Sequence, residues 1–418
     1  VQLALYEPGV DPFSGTPLAT SAAAGTLDAY VEHNALATGT YSVKVSADAS
    51  TTGLQNYGLV VTTGGTFEKS GTNMTFAAAQ DVTGRGAVLG SCERSISTFV
   101  ASGNGLGFPA GIAFGPDSTG DGVGELFVAG HDSDNVLRYN GATGAFINAF
   151  VPAGSGGLDR PPEILFGPDQ SGDGVPELFV SSYNTGTVMR YNGATGAPLP
   201  SAGNTGAIFA SGGGLSGPVG LAFRAGRLYV ASEINNMVLR YDAASGVFVD
   251  TFVAAGSGGL SGAHDLVFGP DGNLYVSSQF NNRILRFDGT TGAAIGDFVP
   301  SGGGGLSSPL GLEFGSDGNL YVSSRGNNSV RSYHGTSGAL IDVIVPPGGG
   351  SLSNPEGLTF GPDGNLYVTS AIDNRVLRVT LDPAPDFYKV TLTAGQTLTV
   401  TSSTPGDGSG QFANNLDP

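Results

Sequence analysis

Lysine is almost missing from this chain: 3 Lys and 14 Arg face 35 acidic residues, for a formal net charge of -18. No segment gathers positive charge, which argues against nucleic acid and anionic membrane as partners. Cysteine occurs once, at Cys92, so no internal disulfide can form; the thiol reads as a small buried apolar group. No apolar run is long enough for a transmembrane helix, so no membrane insertion is expected. No segment keeps a 3.6-residue apolar period, which excludes helical repeats. Gly-x-Ser-x-Gly, Walker, CxxC and His-Glu-x-x-His motifs are all lacking. Neither an initiator Met nor a signal sequence stands at Val1, so a processed or excised chain is expected. Abundant Gly, Ser and Thr with strong acidity fit a secreted protein of a bacterial cell surface.

What is there is repetition. One sentence, roughly Pro-x-Gly-Leu-x-Phe-Gly-Pro-Asp-Gly-Asn-Leu-Tyr-Val-Ser-Ser, recurs six times, opening at Pro109, Pro161, Pro218, Ala263, Pro309 and Pro355. Each copy alternates apolar and polar residues in short runs divided by Gly, Asn and Asp, which predicts four strands and three turns. Repeats of this length and content predict a β-propeller. The sixth copy lacks its last strand, and residues 96–103 match that strand ahead of the first full copy, so the ring is expected to close by strand exchange. With Gly-x-Leu-Tyr-Val, an Asn turn and Val-Leu-Arg-Tyr-Asp, the repeat resembles the NHL and streptogramin-lyase-like propellers. Recurring Arg138, Arg190, Arg240, Arg286 and Arg378 are expected to act as blade-to-blade struts paired with turn Asp.

The two ends read as halves of one β-sandwich. Asp386-Phe387-Tyr388-Lys389-Val390-Thr391-Leu392 with Ala394-Gly395-Gln396-Thr397-Leu398-Thr399, then Asp417-Pro418 continued by Leu3-Ala4-Leu5-Tyr6, then Gly39 to Val45, follow one motif order. In that order they resemble the bacterial pre-peptidase C-terminal (PPC) domain, a jelly-roll-like sandwich. Residues 78–90 resemble its opening strand. The fold class expected is therefore all-β, a six-bladed propeller plus a discontinuous jelly-roll-like sandwich: 1–92 the N-terminal part, 93–383 the propeller, 384–418 the C-terminal strands. Residues 1–64 either close on their own chain's C-terminal strands or complete a neighbour's sandwich; the second arrangement assembles head-to-tail into a filament.

Two loops carry the strongest chemical pattern. Asp117, Thr119, Asp121, Val123 and Glu125, and likewise Asp169, Ser171, Asp173, Val175 and Glu177, place oxygens at positions 1, 3, 5, 7 and 9, with Gly at 6. That is the donor set of a flexible Ca²⁺ cage, and the loops resemble those of FG-GAP and integrin-type propellers. Blades four to six carry an ordinary tight turn there. Around the axis, Glu163, His264 with Asp265, and Glu356 interrupt the Pro-x-Gly segments; gluconolactonase-like relatives hold a divalent metal at the axis and lyase-type relatives use an axial His, which makes these four the alternative catalytic set. His33, His131 and His334 read as surface residues, and Asn73 and Asn327 open glycosylation sequons. The leading expectation is a non-enzymatic extracellular structural or adhesive protein, a head-to-tail homo-oligomer with a possible glycan or surface ligand. The alternatives are a secreted enzyme of lactonase or lyase type and a carbohydrate- or protein-binding module.

Overall fold

The computed structural model describes residues 94–381 throughout. Outside them it describes residue 17 and the strands Gln2–Tyr6, Ala19–Ala22, Tyr30–Asn34, Gly39–Ser46, Gln55–Val61, Gly64–Phe67, Gln80–Asp81, Gly86–Cys92, Asp386–Leu392 and Thr397–Ser403. The chain divides into two units, 96–379 and a second made of 1–95 with 380–418.

The first unit is a six-bladed β-propeller of six four-stranded antiparallel sheets. In the first blade the strands run Pro109–Phe114, Leu126–Gly130, Asn135–Tyr139 and Phe146–Val151, from the axis outward, and the other blades repeat this order. The second strands are buried along their whole length, as in Leu274–Ser278 and Leu320–Ser324, which is why they read as near-continuous apolar runs ending in Ser. The ring closes as expected: Ile96–Val100 forms the outer strand of the last blade, with Val376 opposite Val100 and Leu377 opposite Thr98. Exchange of the terminal strand joins last blade to first without a free edge at the seam.

Blades are joined by aromatic side chains. The Phe that ends each inner strand packs edge to face on the second-strand aromatic of the preceding blade: Phe166 on Phe127, Phe223 on Phe179, Phe268 on Tyr229, Phe314 on Tyr275 and Phe360 on Tyr321, with Phe114 on Tyr367 closing the circle. Centroids lie 4.8 to 5.1 Å apart, a geometry worth about 0.5–1.5 kcal/mol per pair beyond the area buried. The recurring arginines pair with a turn Asp as expected in two blades, Arg286 with Asp271 at 4.0 Å and Arg378 with Asp363 at 3.9 Å, but within the blade instead of across to the next. Arg138, Arg190, Arg240, Arg286 and Arg378 stack on the outer-strand Phe of their own blade, Phe150, Phe209, Phe252, Phe298 and Phe99. They brace blades internally because the third strand lies beside the outer strand, away from the next sheet. A second latch between blades comes from loop residues at positive φ: the side-chain oxygens of Asp134, Asn282, Asn328 and Asn374 accept the backbone N–H of Arg160, Ser308, Asn354 and Phe108 at 2.7–2.8 Å.

In the second unit, Asp386–Leu392 pairs antiparallel with Gly39–Ser46, and Thr397–Ser403 pairs with both Tyr30–Asn34 and Gln55–Val61. These strands fall into two five-stranded sheets within the one chain. The junction 417–418 to 1, on which the motif order turns, lies outside the described residues.

Candidate functional site

The inner strands set the geometry of the axis. Pairing between first and second strands slips between Pro109 and Ile112, Pro218 and Leu221, Ala263 and Leu266, Pro309 and Leu312, and Pro355 and Leu358. Each slip is a bulge, which releases two residues from the ladder and re-aims their side chains. The freed N–H is caught by a second-strand hydroxyl: Ser181 Oγ for Glu163, Ser277 Oγ for Asp265, Ser323 Oγ for Gly311, at 2.8–3.1 Å.

The third residue of the Pro-x-Gly segment marks a level at which neighbouring inner strands crowd one another. A Cβ on Gly111 would stand 2.6 Å from Cα of Glu163, and one on Gly311 would stand 2.7 Å from the Glu356 carbonyl oxygen. Neighbouring inner strands are in backbone contact there, so only Gly fits where the next blade crowds in. Glu163 and Asp265 occupy this level in blades two and four.

The four axial residues expected to act together divide into two groups. Glu163 and Asp265 line a cavity of about 510 Å³ toward the end where the inner strands finish, together with Glu313. Asp265 accepts the N–H of Leu266 at 2.7 Å and of Leu312, from the next blade, at 2.8 Å; Glu163 accepts that of Ile164 at 2.8 Å. Burial raises all three carboxyls. Asp265 is pushed up to about 7 against those backbone donors, Glu313 to about 7 with Asp265 adding like charge, and Glu163 well above the ordinary range with Asp265 and Glu313 both adding to it.

His264 and Glu356 belong to the opposite mouth, where the inner strands begin. The loops after the second strands put His131, Tyr183, Glu233, Gln279, Arg325 and Ala371 at one repeat position around it. Tyr183 donates its hydroxyl proton to Glu233 Oε2 at 2.8 Å, and Arg325 Nε lies 3.4 Å from Glu356 Oε1 while donating to Asn354 Oδ1 at 2.6 Å. Glu356 is 6% exposed, and burial outweighs Arg325 to push it up to about 8, with Glu233 adding like charge. Burial, then the positive charge of Arg325 and of any protonated His131, pushes His264 down to about 3. Glu233 is raised by burial against the Tyr183 bond and Arg325, and Tyr183 is pushed up to about 12 by burial and by Glu233. Three buried atoms here make no hydrogen bond: His264 Nδ1, Glu356 Oε1 and Gln279 Oε1. At neutral pH this mouth offers a neutral imidazole, a protonated carboxylic acid and a fixed guanidinium. His131, expected at the surface, sits half-buried in it beside Asp132 at 2.9 Å.

Both acidic loops lie on blades one and two. Asp117 accepts the N–H of Gly120 and Gly122, and Asp121 accepts that of Val123 and the side-chain amide of Asn140. Asp169 and Asp173 repeat this with Gly172, Gly174, Val175 and Asn192. Those amide bonds, Asn140 and Asn192 foremost, hold Asp121 and Asp173 below the usual carboxylate range. Oδ1 of Asp117 and of Asp169 takes a second donor, the hydroxyl of Thr119 or Ser171, while Oδ2 of each has one and keeps a lone pair for an ion. Glu125 and Glu177 are fully buried and turned the other way, capping the N–H groups of Ser118 and Thr119 and of Gln170 and Ser171. Among the described residues no group of three His, Cys, Asp or Glu side chains is arranged to hold a metal ion. Of the sequons, Asn327 spends its side-chain amide on the Gly305 carbonyl at 2.8 Å and accepts from Ser329; Asn73 lies outside the described residues.

No family model matches this sequence, and no curated protein is similar to it. Solved structures share its fold at low identity. A gluconolactonase from Xanthomonas campestris aligns at 16% identity with a TM-score of 0.52, over 81% of this chain and 97% of that one. An auxiliary nutrient-binding protein from Bacteroides thetaiotaomicron aligns at 14% and 0.51, over 71% and 80%. The streptogramin B lyase structure aligns at 15% and 0.47, over 69% and 98%. At these identities the likeness is one of fold.

Proposed function

We propose that the propeller is a ligand-handling module whose near mouth carries out acid–base cleavage of a small ester or lactone, the chain being a secreted enzyme of lactonase or lyase type. The observation that carries this is His264 and Glu356 at one polar mouth, where the enclosed Nδ1 of His264 makes no hydrogen bond and the enclosed Oε1 of Glu356 has only the Arg325 guanidinium, at 3.4 Å. Enclosed polar atoms left short of hydrogen bonds, beside groups whose ionisation burial has shifted, gather at sites. Glu356 keeps its proton through neutral pH and can donate it to a leaving oxygen. In hydrolysis a water oxygen bonds to the carbonyl carbon as the bond to the leaving oxygen breaks. The water's proton, hydrogen-bonded first to His264 Nδ1, replaces the one Glu356 gives up, while Arg325 faces the negative charge developing on the carbonyl oxygen. This replaces the structural and adhesive reading as the one the site supports best. A screen of lactones and of esters bearing an abstractable α-proton tests it: turnover by the intact chain, falling at least about 100-fold in His264→Ala and Glu356→Gln, is the expected result. Saturable binding without turnover would reduce the proposal to a binding module.

For the second unit we keep the PPC-like sandwich as a carrier or targeting module, supported by the motif order and by the pairing of Asp386–Leu392 with Gly39–Ser46. We also propose Ca²⁺ as a structural ion in the loops at Asp117 and Asp169, held by Asp117, Thr119, Asp121 and the Val123 carbonyl and their counterparts in blade two, with Glu125 and Glu177 bracing the loop instead of ligating.

A further inference from the structure

The far half of the channel, beyond the glycine level, has its own chemistry. We propose that it is a binding site for an organic ammonium ion, a positively charged nitrogen carried on a hydrocarbon body. Its wall is formed by the second halves of the inner strands, ending in Phe114, Phe166, Phe223, Phe268 and Phe360. Apart from the three carboxylates, no lining residue is charged: no Lys, Arg or His contributes to it.

Glu313 carries the argument furthest. It stands where the other blades place Ala113, Leu165, Ala222, Val267 and Thr359, so a carboxylate replaces a small or apolar side chain on the cavity wall. It is half-buried on the cavity wall, and the like charges of Asp265 and Glu163 act on it. Like charges held together on one half-buried wall, with no Lys, Arg or His lining the cavity, are costly. The fold does not need Glu313 there, since five blades close without it.

The chemistry of the wall selects the ligand. Both oxygens of Asp265 and Oε1 of Glu163 already accept backbone N–H groups, which leaves Glu313 and Oε2 of Glu163 as the open acceptors. Among the described residues no group of three acidic side chains is arranged to hold a metal ion, so the cage of six to eight oxygens that Ca²⁺ takes is not formed here. A space of about 510 Å³ is also of small-molecule size and far larger than a bare ion requires. Three carboxylates on a wall otherwise uncharged and ending in Phe side chains suit an ammonium head with an apolar body.

Calorimetric titration of the whole chain with hexylamine, against hexan-1-ol and calcium chloride, tests this at pH 8.5, where the Asp265 and Glu313 carboxylates are ionised and hexylamine keeps its proton. One-to-one hexylamine binding, at least tenfold tighter than hexan-1-ol, is expected. It should weaken at least tenfold at pH 5.5, as Glu163, Asp265 and Glu313 take up protons. Glu313→Gln should cost tenfold or more. Equal binding of the alcohol, no hexylamine binding at millimolar concentration, displacement by Ca²⁺, or an unaffected Glu313→Gln would each overturn the proposal. The amine-to-alcohol comparison in the unaltered chain stands even if a variant fails to fold.

Discussion

The balance of forces at Glu356 can be read from stability alone. Two effects oppose each other there: burial favours the protonated acid, and Arg325 at 3.4 Å favours the carboxylate. If burial wins, as the rise from 4.5 to about 8 implies, Glu356 binds its proton more tightly in the folded chain than in the unfolded one. Below about pH 4.5 both states are protonated and the contribution to stability is complete. As pH rises toward 8 the unfolded chain gains by ionising while the folded one does not, and stability is lost. At about 1.4 kcal/mol for each pH unit the loss has a ceiling of about 5 kcal/mol, and relaxation around the charge should leave about 2–3.

Glu356→Gln removes the titration and keeps the shape and hydrogen-bonding capacity of the neutral acid. Asp265 and Glu313 lose stability over the same pH range and with the same sign, so the quantity to measure is the difference between the native chain and the variant. Urea unfolding followed by near-ultraviolet circular dichroism, at pH 5 and pH 8.5, supplies it. The two proteins should be equally stable at pH 5, and the variant should be more stable by about 2–3 kcal/mol at pH 8.5. A variant less stable by the same amount at both pH values would mean that the Arg325 ion pair dominates and that the neutral-acid assignment is wrong.

Four further outcomes are expected. Tyr275→Ala, which empties the place between Phe298 and Phe314, should cost about 3–5 kcal/mol in urea unfolding, whereas Arg286→Ala should cost about 1 kcal/mol or less; the reverse order would restore arginine as the strut. Gly111→Ala should lower the melting temperature of the propeller sharply, since its Cβ would meet Glu163 Cα at 2.6 Å, while Gly120→Ala, with open space around the new Cβ, should cost only the strain of its positive φ, about 1 kcal/mol. Calcium should raise the melting temperature of the native chain and have no effect on the Asp121→Ala, Asp173→Ala double variant; an unresponsive native chain removes the ion from both loops. Activity on any lactone found should not rise with an apparent pKa near 6.5, because burial holds His264 neutral down to about 3; it should instead fall above about pH 8 as Glu356 loses its proton.

How far the fold could be read from the chain follows from what repetition encodes. A column that recurs in every blade states a role performed six times, and alternation with Gly, Asn and Asp turns was enough to give strands, blade number and the exchanged strand 96–100. Repetition does not state which neighbour a side chain meets. The arginine column and the aromatic columns recur equally well, and only the order of strands from the axis decides that Arg286 reaches Phe298 of its own blade while Phe314 reaches back to Tyr275. The pairing of chain ends is of the same kind, since motif order places strands in one sheet without saying whose strands they are.

The site was legible where a constant column breaks. Glu163, His264, Asp265 and Glu356 stood out because they interrupt Pro-x-Gly, and each does lie at the axis. That His264 and Asp265, adjacent in sequence, serve opposite halves of the channel was hidden in the bulge, whose register no local pattern announces. The residues that were missed had a signal of the same type. The position after each second strand reads His131, Tyr183, Glu233, Gln279, Arg325, Ala371, six different residues between two repeating segments, and Glu313 is the one charge in a column of small or apolar side chains. In a ring of equivalent blades the scaffold needs the same residue each time, so a column free to differ at every blade is one the scaffold does not constrain. Where such a column also faces the axis, buried charge accumulates in it at a cost the fold gains nothing from, and binding is the remaining reason to keep it there.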